Sequence, residues 1–424
     1  MTRKTSSARK RIVLGVTGSI ACYKAPSLAR YFMKRGCDVR VVMTESATNF
    51  VTPLTFESLT HNPVAVSFWN ETEPGSIGHI ELADWADAVV VAPATADCVA
   101  KMAFGMGESS VLAVILATKA PIIVAPAMNV NMYENPQTQE NLQALQARGV
   151  VIVEPAAGDL ACGWRGKGRL ASERDIYLKT RRAMTRQDLL GKRVLISAGP
   201  TREAIDPVRY ISNRSSGKMG IALANEAFMR GASVTLVHGP LAGGRPKVSH
   251  EVDCISVVAA SEMADAIQAR VFEAPRYNQP DIVIMAAAVA DYRPSRPASQ
   301  KVKKGQVDDF ISIAPNEDIL ASLGRRRGES SSPLLVGFAV ETGDQNTVIS
   351  QAREKLQRKN VDIVVGNLAQ DAFDRDTNQV WIAHRRGTLK HVATCKKSAV
   401  AREVVNQIVA DLETDMLEPD QQLH

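Results

Sequence analysis

Short apolar runs rich in β-branched residues alternate along the chain with segments of helical period, and the arrangement occurs twice. In the first half the runs are IVLGVT, DVRVVMT, AVVVAP, PIIVAP and VVIVEP; in the second they are RVLISAG, SVTLVHG, DIVIMAAA, LLVGFAV and DIVVGNL. Each is nearly continuous rather than alternating, which is how strands buried on both faces of a parallel sheet read. Between them lie helix-like stretches such as KAPSLARYFMKRG, with Gly36 as a natural stop, SSGKMGIALANEAFMRG and VISQAREKLQRKN. The alternation predicts an α/β fold of two Rossmann-like domains with mainly parallel sheets. RIVLGVTGS (Arg11–Ser19) and KRVLISAGPT (Lys192–Thr201) open the two halves alike, each passing from basic residues through a strand into a glycine turn. The polar stretch LKTRRAMTRQDLLGK (Leu178–Lys192) reads as the linker, which places the domains at residues 1–187 and 188–424. The Pro-, Ser- and Lys-rich segment Tyr292–Lys304 reads as a mobile loop.

Composition narrows the class. A chain of 424 residues exceeds one ordinary core, and 45% hydrophobic with 23% charged residues excludes a wholly disordered chain. No apolar run approaches the ~18–20 residues of a membrane span, and the basic start lacks a signal-type apolar stretch, so a soluble, cytoplasmic protein is expected. The six cysteines (Cys22, Cys37, Cys98, Cys162, Cys254 and Cys395) form no CxxC pair, which argues against a zinc ribbon or a disulfide scaffold. A net charge of +6 is modest for this length and does not point to nucleic acid; anionic small substrates suit it equally well.

Candidate chemistry gathers where strands end. In the turn VTGSIACYK, Gly18 and Ser19 stand between a strand and a helix, where backbone N–H groups can meet a phosphate. The turn is not the GxGxxG fingerprint of nicotinamide sites. Two further strand ends carry small or hydroxylic residues, Thr44 and Ser46 in VMTESAT and Ala94 and Thr95 in VVAPATAD. Ligands of parallel α/β sheets bind outside the carboxyl ends of strands, so these loops should converge on a phosphate-bearing cofactor. Asn129 in PAMNVNMYENP can serve a carboxylate or cap a helix; His79 in SIGHIELADWAD can be chemical or a surface residue. Cys162 lies in GDLACGWRGKGRL, a glycine-rich loop whose cations favour a thiolate.

Taken together and in order, GSIACYK, the His of HIELADWAD, APATAD, PAMNxxMY and ACGxxGxGR resemble the flavin-dependent cysteine decarboxylase family, in its phosphopantothenoylcysteine branch, over nearly all of residues 11–175. The resemblance implies a flavoprotein-type domain holding FMN through Gly18, Ser19, Thr44, Ser46, Ala94 and Thr95. It further implies a catalytic His79, an Asn129 that binds the substrate carboxylate, and a Cys162 that donates a proton from a flap over the substrate. Cys22 departs from the Ala common in that family. The chemistry accounts for the residue types: a cysteine-derived carboxylate has no electron sink until flavin oxidises its CH₂–SH to a thioaldehyde, and an acid must later protonate the neighbouring carbon.

In the second half SAGPTREAIDPVRYISNRSSGKMG superficially suggests a phosphate loop, but Met219 follows Lys218 where Ser or Thr is required. A helix starting near Ser215 would still offer N–H groups to an anion, with Asn213 (itself a possible N-cap) and Arg209 nearby. SNRSSGKMG, AAAVADYRP, KVKK, GFAVET and KxxxKN resemble the phosphopantothenate–cysteine ligase family over roughly residues 190–410. That resemblance implies CTP contacts from Ala287, Asp291, Lys301, Phe338, Lys355 and Lys359, and Asn213 and Arg209 acting on an acyl-cytidylate and its attack by cysteine. It also implies Mg²⁺, for which no ligands can be named. Fused in this order, the halves match the bacterial bifunctional family of coenzyme A biosynthesis. Its expected partners are 4'-phosphopantothenate, cysteine and CTP, with neither nucleic acid nor membrane. The expected homo-oligomer combines a trimer-based decarboxylase core with a dimeric ligase, a dodecamer being one way to satisfy both. A non-catalytic flavoprotein subunit and a peptidyl-cysteine decarboxylase are the alternatives; the joint presence of Cys162, His79, Asn129 and the second half weighs against both.

Overall fold

The computed structural model describes residues 9–67, 78–159, 165–241, 243–303, 310–369 and 375–417. Internal contacts divide the chain into two compact units, Met1–Arg186 and Gln187–His424. The expected linker is helical over part of its length, since the helix Glu173–Ala183 runs into it before the chain crosses to the second unit. Ser172 caps that helix by accepting from Asp175 N, and its last turn carries Arg181 and Arg182, both favourable at those ends.

The first unit is built on β1 (Lys10–Val16), β2 (Cys37–Met43), β3 (Val64–Ala65), β4 (Ala88–Ala94), β5 (Ile122–Pro126) and β6 (Val151–Ile152). They form one all-parallel sheet in the order β3-β2-β1-β4-β5-β6. The apolar runs are continuous because both faces are covered. Ile12, Leu14 and Val90 belong to one core, Val13, Val89 and Val91 to the other. Beyond the sheet, β7 (Ala156–Asp159) and β8 (Arg165–Arg169) make an antiparallel hairpin. VVIVEP contributes only its middle as β6, and β3 has no apolar run that announces it.

The second unit contains β9 (Arg193–Ala198), β10 (Arg202–Ala204), β11 (Tyr210–Ser212), β12 (Ser233–His238), β13 (Asp253–Ser256), β14 (Ile282–Met285), β15 (Tyr292–Pro294), β16 (Ile313–Pro315), β17 (Leu334–Glu341), β18 (Ile363–Leu368), β19 (Thr377–His384) and β20 (Leu389–Lys396). Its main sheet has the order β13-β12-β9-β14-β17-β18-β19-β20. The first six are parallel, and β19 and β20 add an antiparallel edge. The chain thus starts each sheet in its middle, builds outward to one side, then crosses to the other. This creates a switch point between β1 and β4 and another between β9 and β14, where crevices open at the carboxyl ends.

Two expectations change. The helix read as starting near Ser215 begins at Lys218, with Gly217 at its N-cap in the left-handed region (φ 71°). Asn213 is therefore not a cap. The loop Tyr292–Lys304 begins as the ribbon strand β15, paired antiparallel with β16.

The start of the second unit is fixed by a charge pair. Arg230, just past the helix Lys218–Met229, donates to both oxygens of Asp188 at 2.7 and 2.6 Å and to Asn406 Oδ1 at 2.6 Å. Both partners of the pair are over nine-tenths buried. Asp188→Ala would leave the guanidinium uncompensated, at a cost of about 3–5 kcal/mol. Denaturant unfolding of the variant should show that loss in the second unit's transition, while the first unit's transition stays in place.

Candidate functional site

In the first unit the carboxyl ends of β1 and β4 are stitched together. Thr17 Oγ1 donates to Pro93 O at 2.8 Å and accepts from Thr95 N at 3.0 Å. Thr95 then caps the helix Ala96–Ala103 by accepting from Cys98 N at 3.2 Å. Ser19 accepts from Ala21 N at the head of a short 3₁₀ turn, Ile20–Lys24, and Pro26 opens the α-helix behind it. This stitching holds Gly18, Ser19 and Thr95 on the rim of two cavities.

One cavity, of about 390 Å³, lies between Gly18–Lys24, Ala127–Asn129 and Gly168–Leu170. Burial lowers the pKa of Lys24 at its edge, and the neighbouring charge of Arg169 adds to the effect. The other, of about 600 Å³, lies among Thr44–Ser46, Thr95–Cys98 and Ser109–Ser110. Gly18 separates them where nothing larger fits, since a Cβ there would stand 2.5 Å from Ser46 Cβ. Thr44 Oγ1 is buried with no hydrogen-bond partner, a donor and acceptor turned to a site that a ligand would complete. These features fit a phosphate-bearing planar cofactor. Ala94 is wholly buried behind Thr95 and pairs in register with Pro126.

Asn129 caps the helix Val130–Glu134, its Oδ1 accepting from Asn131 N at 2.8 Å. Its loop is tied to the β7–β8 hairpin, because Met128 N donates to Gly168 O at 3.0 Å. Gly168 is at φ 146°, and any Cβ there would overlap Met128 O. The hairpin's base is thus fastened beside Asn129, while Cys162 lies outside the described residues. His79 begins the helix His79–Trp85 behind the N-cap Gly78 and is half-buried. It lines neither cavity: Leu82 and Ala83 turn its helix onto the core shared with the helix Ser110–Ala117.

In the second unit, β9 and β14 are joined in the same manner. Ala287 N donates to Ser197 Oγ and Ala290 N to Thr201 Oγ1, each at 3.0 Å. Asn213 Nδ2 donates to Val289 O at 2.9 Å, which places it beside the alanine loop. Arg209 is fastened to Asp206 through its Nε and Nη2 at 3.0 and 2.5 Å, and donates to Val302 O at 2.8 Å. Val302 N donates to Asp206 in return, so the segment carrying exposed Lys301 is pinned to this turn. Lys304 lies outside the described residues. Lys355 Nζ donates to Phe338 O at 3.2 Å, and Lys359 pairs with Asp318 at 2.7 Å. Burial pushes Lys355 below the ordinary lysine range, with the charge of Lys359 adding to it. Ala287 and Phe338 line a further cavity; Asp291 is exposed just beyond and contributes its carbonyl to Asn316 N at 2.8 Å.

The hydrogen bonds from Arg209 hold the Asp206 carboxyl well below the usual carboxylate range. A depressed folded value means that the ionised form stabilises the fold above the unfolded value of about 3.9 and stops doing so as pH falls through the folded one. Asp206→Asn should therefore lower the thermal midpoint most at neutral pH, and its difference from the wild type should shrink below about pH 4. A difference that stays constant down to strong acid would contradict this.

Residues missed by sequence reasoning are Thr17, Ser109 and Ser110 in the first unit and Asn367, Asn378 and Lys397 in the second. Among the described residues no group of three or more His, Cys, Asp or Glu is placed to hold a metal ion. No described helix is long and apolar enough to cross a membrane.

Comparison with known proteins agrees with this two-part layout. The family described as Flavoprotein matches residues 1–184, and the DNA/pantothenate metabolism flavoprotein C-terminal domain matches residues 189–412. The Coenzyme A biosynthesis bifunctional protein CoaBC of Vibrio cholerae is 45% identical over 408 residues, which is 95% of this chain and 98% of that one. The chain belongs to the CoaBC family. Its B. subtilis relative of the same name is 40% identical over 407 residues, 95% of this chain and 97% of that one. Among solved structures, the C-terminal domain of a CoaBC protein is 38% identical with a TM-score of 0.44, covering 54% of this chain and 99% of that one. CoaBC family members thus match both units rather than one.

Proposed function

We propose that the chain carries out two consecutive steps of coenzyme A biosynthesis: CTP-dependent ligation of 4'-phosphopantothenate to cysteine, then FMN-dependent decarboxylation of the product to 4'-phosphopantetheine. The observation that carries this reading is identity of 45% to a bifunctional coenzyme A biosynthesis protein along 95% of the chain.

In the first unit FMN would be held by Gly18, Ser19, Thr44, Ser46, Ala94 and Thr95. When bound, it would supply two-electron oxidation of the substrate thiol, which gives the electrons left behind by CO₂ a sink, and would return the same two electrons as hydride to the decarboxylated product. Asn129, whose Oδ1 already serves the helix cap, would offer its amide N–H to the substrate carboxylate. Cys162 would protonate the carbon that loses CO₂, and His79 would manage the thiol proton or polarise the site. In a trimer-based core a second copy would finish the site around His79.

In the second unit the carboxylate must be activated, because oxide is a poor leaving group. Transfer to the α-phosphate of CTP with loss of pyrophosphate makes a mixed anhydride that the cysteine amine opens. Lys301 and nucleotide-borne Mg²⁺ would offset charge in the first step, with Ala287, Asp291, Phe338, Lys355 and Lys359 around the nucleotide. Asn213 and Arg209 would hold the anhydride for the second. The ligase acts as a dimer, in the cytoplasm.

The test supplies 4'-phosphopantothenate, cysteine, CTP and Mg²⁺ to the purified full chain. Formation of 4'-phosphopantetheine, CO₂ and pyrophosphate supports the proposal. Product formation without CTP, or none with it, would contradict it.

A further inference from the structure

The ribbon of β10 and β11 turns through Ile205–Arg209, and its return strand ends directly before Asn213. Asp206 in that turn has a fully buried side chain. Its Oδ1 accepts from Val208 N and Arg209 N, each at 2.8 Å, which is the ordinary bonding of an aspartate in a tight turn. Its Oδ2 accepts from Arg209 Nε and Nη2 at 3.0 and 2.5 Å, and from Val302 N at 3.2 Å. The turn needs only the first oxygen, and an asparagine would supply it. The second oxygen and the charge therefore serve something other than the turn.

What that oxygen holds is distant in sequence. Arg209 Nη2 also donates to Val302 O at 2.8 Å, so Asp206, Arg209 and Val302 close a ring of hydrogen bonds. Ala298 N donates to Ile205 O at 2.9 Å, which lays the segment Ala298–Val302 along the turn with Lys301 exposed beside the tether. Arg209 Nη1 has no partner among the described residues, so the guanidinium keeps one edge for a ligand. Asp206 keeps nothing of the kind. A carboxylate has about four acceptor sites, and the donors from Val208, Arg209 and Val302 occupy them. It is not placed to take a proton or meet a substrate; what it can do is orient its partners through charge-assisted bonds.

We propose that Asp206 is a positioning residue of the ligase, whose single carboxylate sets both Arg209 and the segment that carries Lys301. The proposal rests on the ligase reading, in which Lys301 serves formation of the acyl-cytidylate and Arg209 serves its attack by cysteine. One buried charge then aligns the cations of both steps.

Asp206→Asn tests this in the full chain, because its Oδ1 can keep the turn while its amide N–H group opposes the donors of Arg209 and Val302. Assayed well below its thermal midpoint, the variant should release pyrophosphate about 10- to 100-fold more slowly at saturating CTP, the scale of a small misplacement. Acyl-cytidylate accumulated without cysteine should also be slow to form amide when cysteine is added. Val302→Pro removes one donor and leaves the Asp206–Arg209 pair, so it should slow the first step and spare the second. Both variants should decarboxylate supplied 4'-phosphopantothenoylcysteine at the wild-type rate. Limited trypsin digestion reads the tether without activity: mass spectrometry should find a new amino terminus at Val302 at least tenfold sooner in Asp206→Asn than in wild type. Wild-type rates for both steps in Asp206→Asn would reduce Asp206 to a structural residue and overturn the proposal. Loss of the second step alone, or an unchanged digestion rate at Lys301, would also overturn it, since Asp206 would then serve Arg209 only. A wild-type chain that ligates nothing while the digestion difference persists would refute the ligase reading, and the positioning role with it, leaving the tether.

Discussion

Replacing Cys162 with serine should stop 4'-phosphopantetheine formation while still allowing CO₂ to leave. Loss of CO₂ needs only the thiol to be oxidised first; completing turnover needs an acid to protonate the carbon left behind. A serine hydroxyl is a far weaker acid than a thiol flanked by Arg165, Lys167 and Arg169, and loss of a positioned acid is worth about 10²–10⁴-fold in rate. Mass spectrometry of the Cys162→Ser reaction should therefore find a decarboxylated product two hydrogens short of 4'-phosphopantetheine. Full turnover by the variant would remove Cys162 from the proposed role.

The second large effect is a division between two ligase variants. Lys301 is exposed on a segment pinned through Val302 to the Asp206–Arg209 turn, which suits a cation that closes on a nucleotide. Lys301→Gln removes the charge while keeping a polar side chain one atom shorter, so formation of the acyl-cytidylate should fall about 10²–10³-fold, the scale of losing one charge-stabilising donor. Asn213→Asp forfeits the donor to Val289 O and sets a carboxylate beside the intermediate. It should form acyl-cytidylate and release pyrophosphate but make little amide, and the intermediate should be recoverable after rapid quenching. Failure of both variants at the same step would contradict the assigned roles.

Much of the fold is legible because burial on both faces writes continuous apolar runs, as in Ile12–Leu14, Val89–Val91 and Leu334–Val336. The elements that escape are those without such runs. Strand β3 is only two half-buried residues, and β13 is mostly exposed at a sheet edge. Strands β19 and β20 carry apolar residues, but their antiparallel direction is set by tertiary pairing to β18 rather than by composition. The start of the helix at Lys218 is displaced from Ser215 because Gly217 adopts a left-handed conformation, a tertiary choice that a serine-rich stretch does not reveal.

The candidate residues divide along the same line. Gly18, Ser19, Thr44, Ser46 and Thr95 follow strands that point to one crevice, so position along the chain was informative. Asn213 resembles an ordinary cap in sequence; the helix start at Lys218 behind Gly217 removes that reading, and the bond to Val289 O places the side chain beside the alanine loop. Asn367, Asn378 and Lys397 gather from β18, β19 and the C-terminal helix, and no local pattern connects them to the segment Ser215–Gly220. His79 stands out through the motif around it, whereas among the described residues it lines neither of the two cavities beside Gly18.

The central claim is that carbon–carbon cleavage in the first unit depends on a flavin seated in the Gly18–Thr95 crevice. Its most direct measurement is the visible spectrum of the purified full chain, followed by denaturation and mass determination of whatever is released. The account predicts a yellow protein that gives up FMN in proportion to chain, and a Gly18→Val variant that retains little of it. A colourless wild-type chain that fails to take up added FMN, yet still decarboxylates 4'-phosphopantothenoylcysteine, would contradict it.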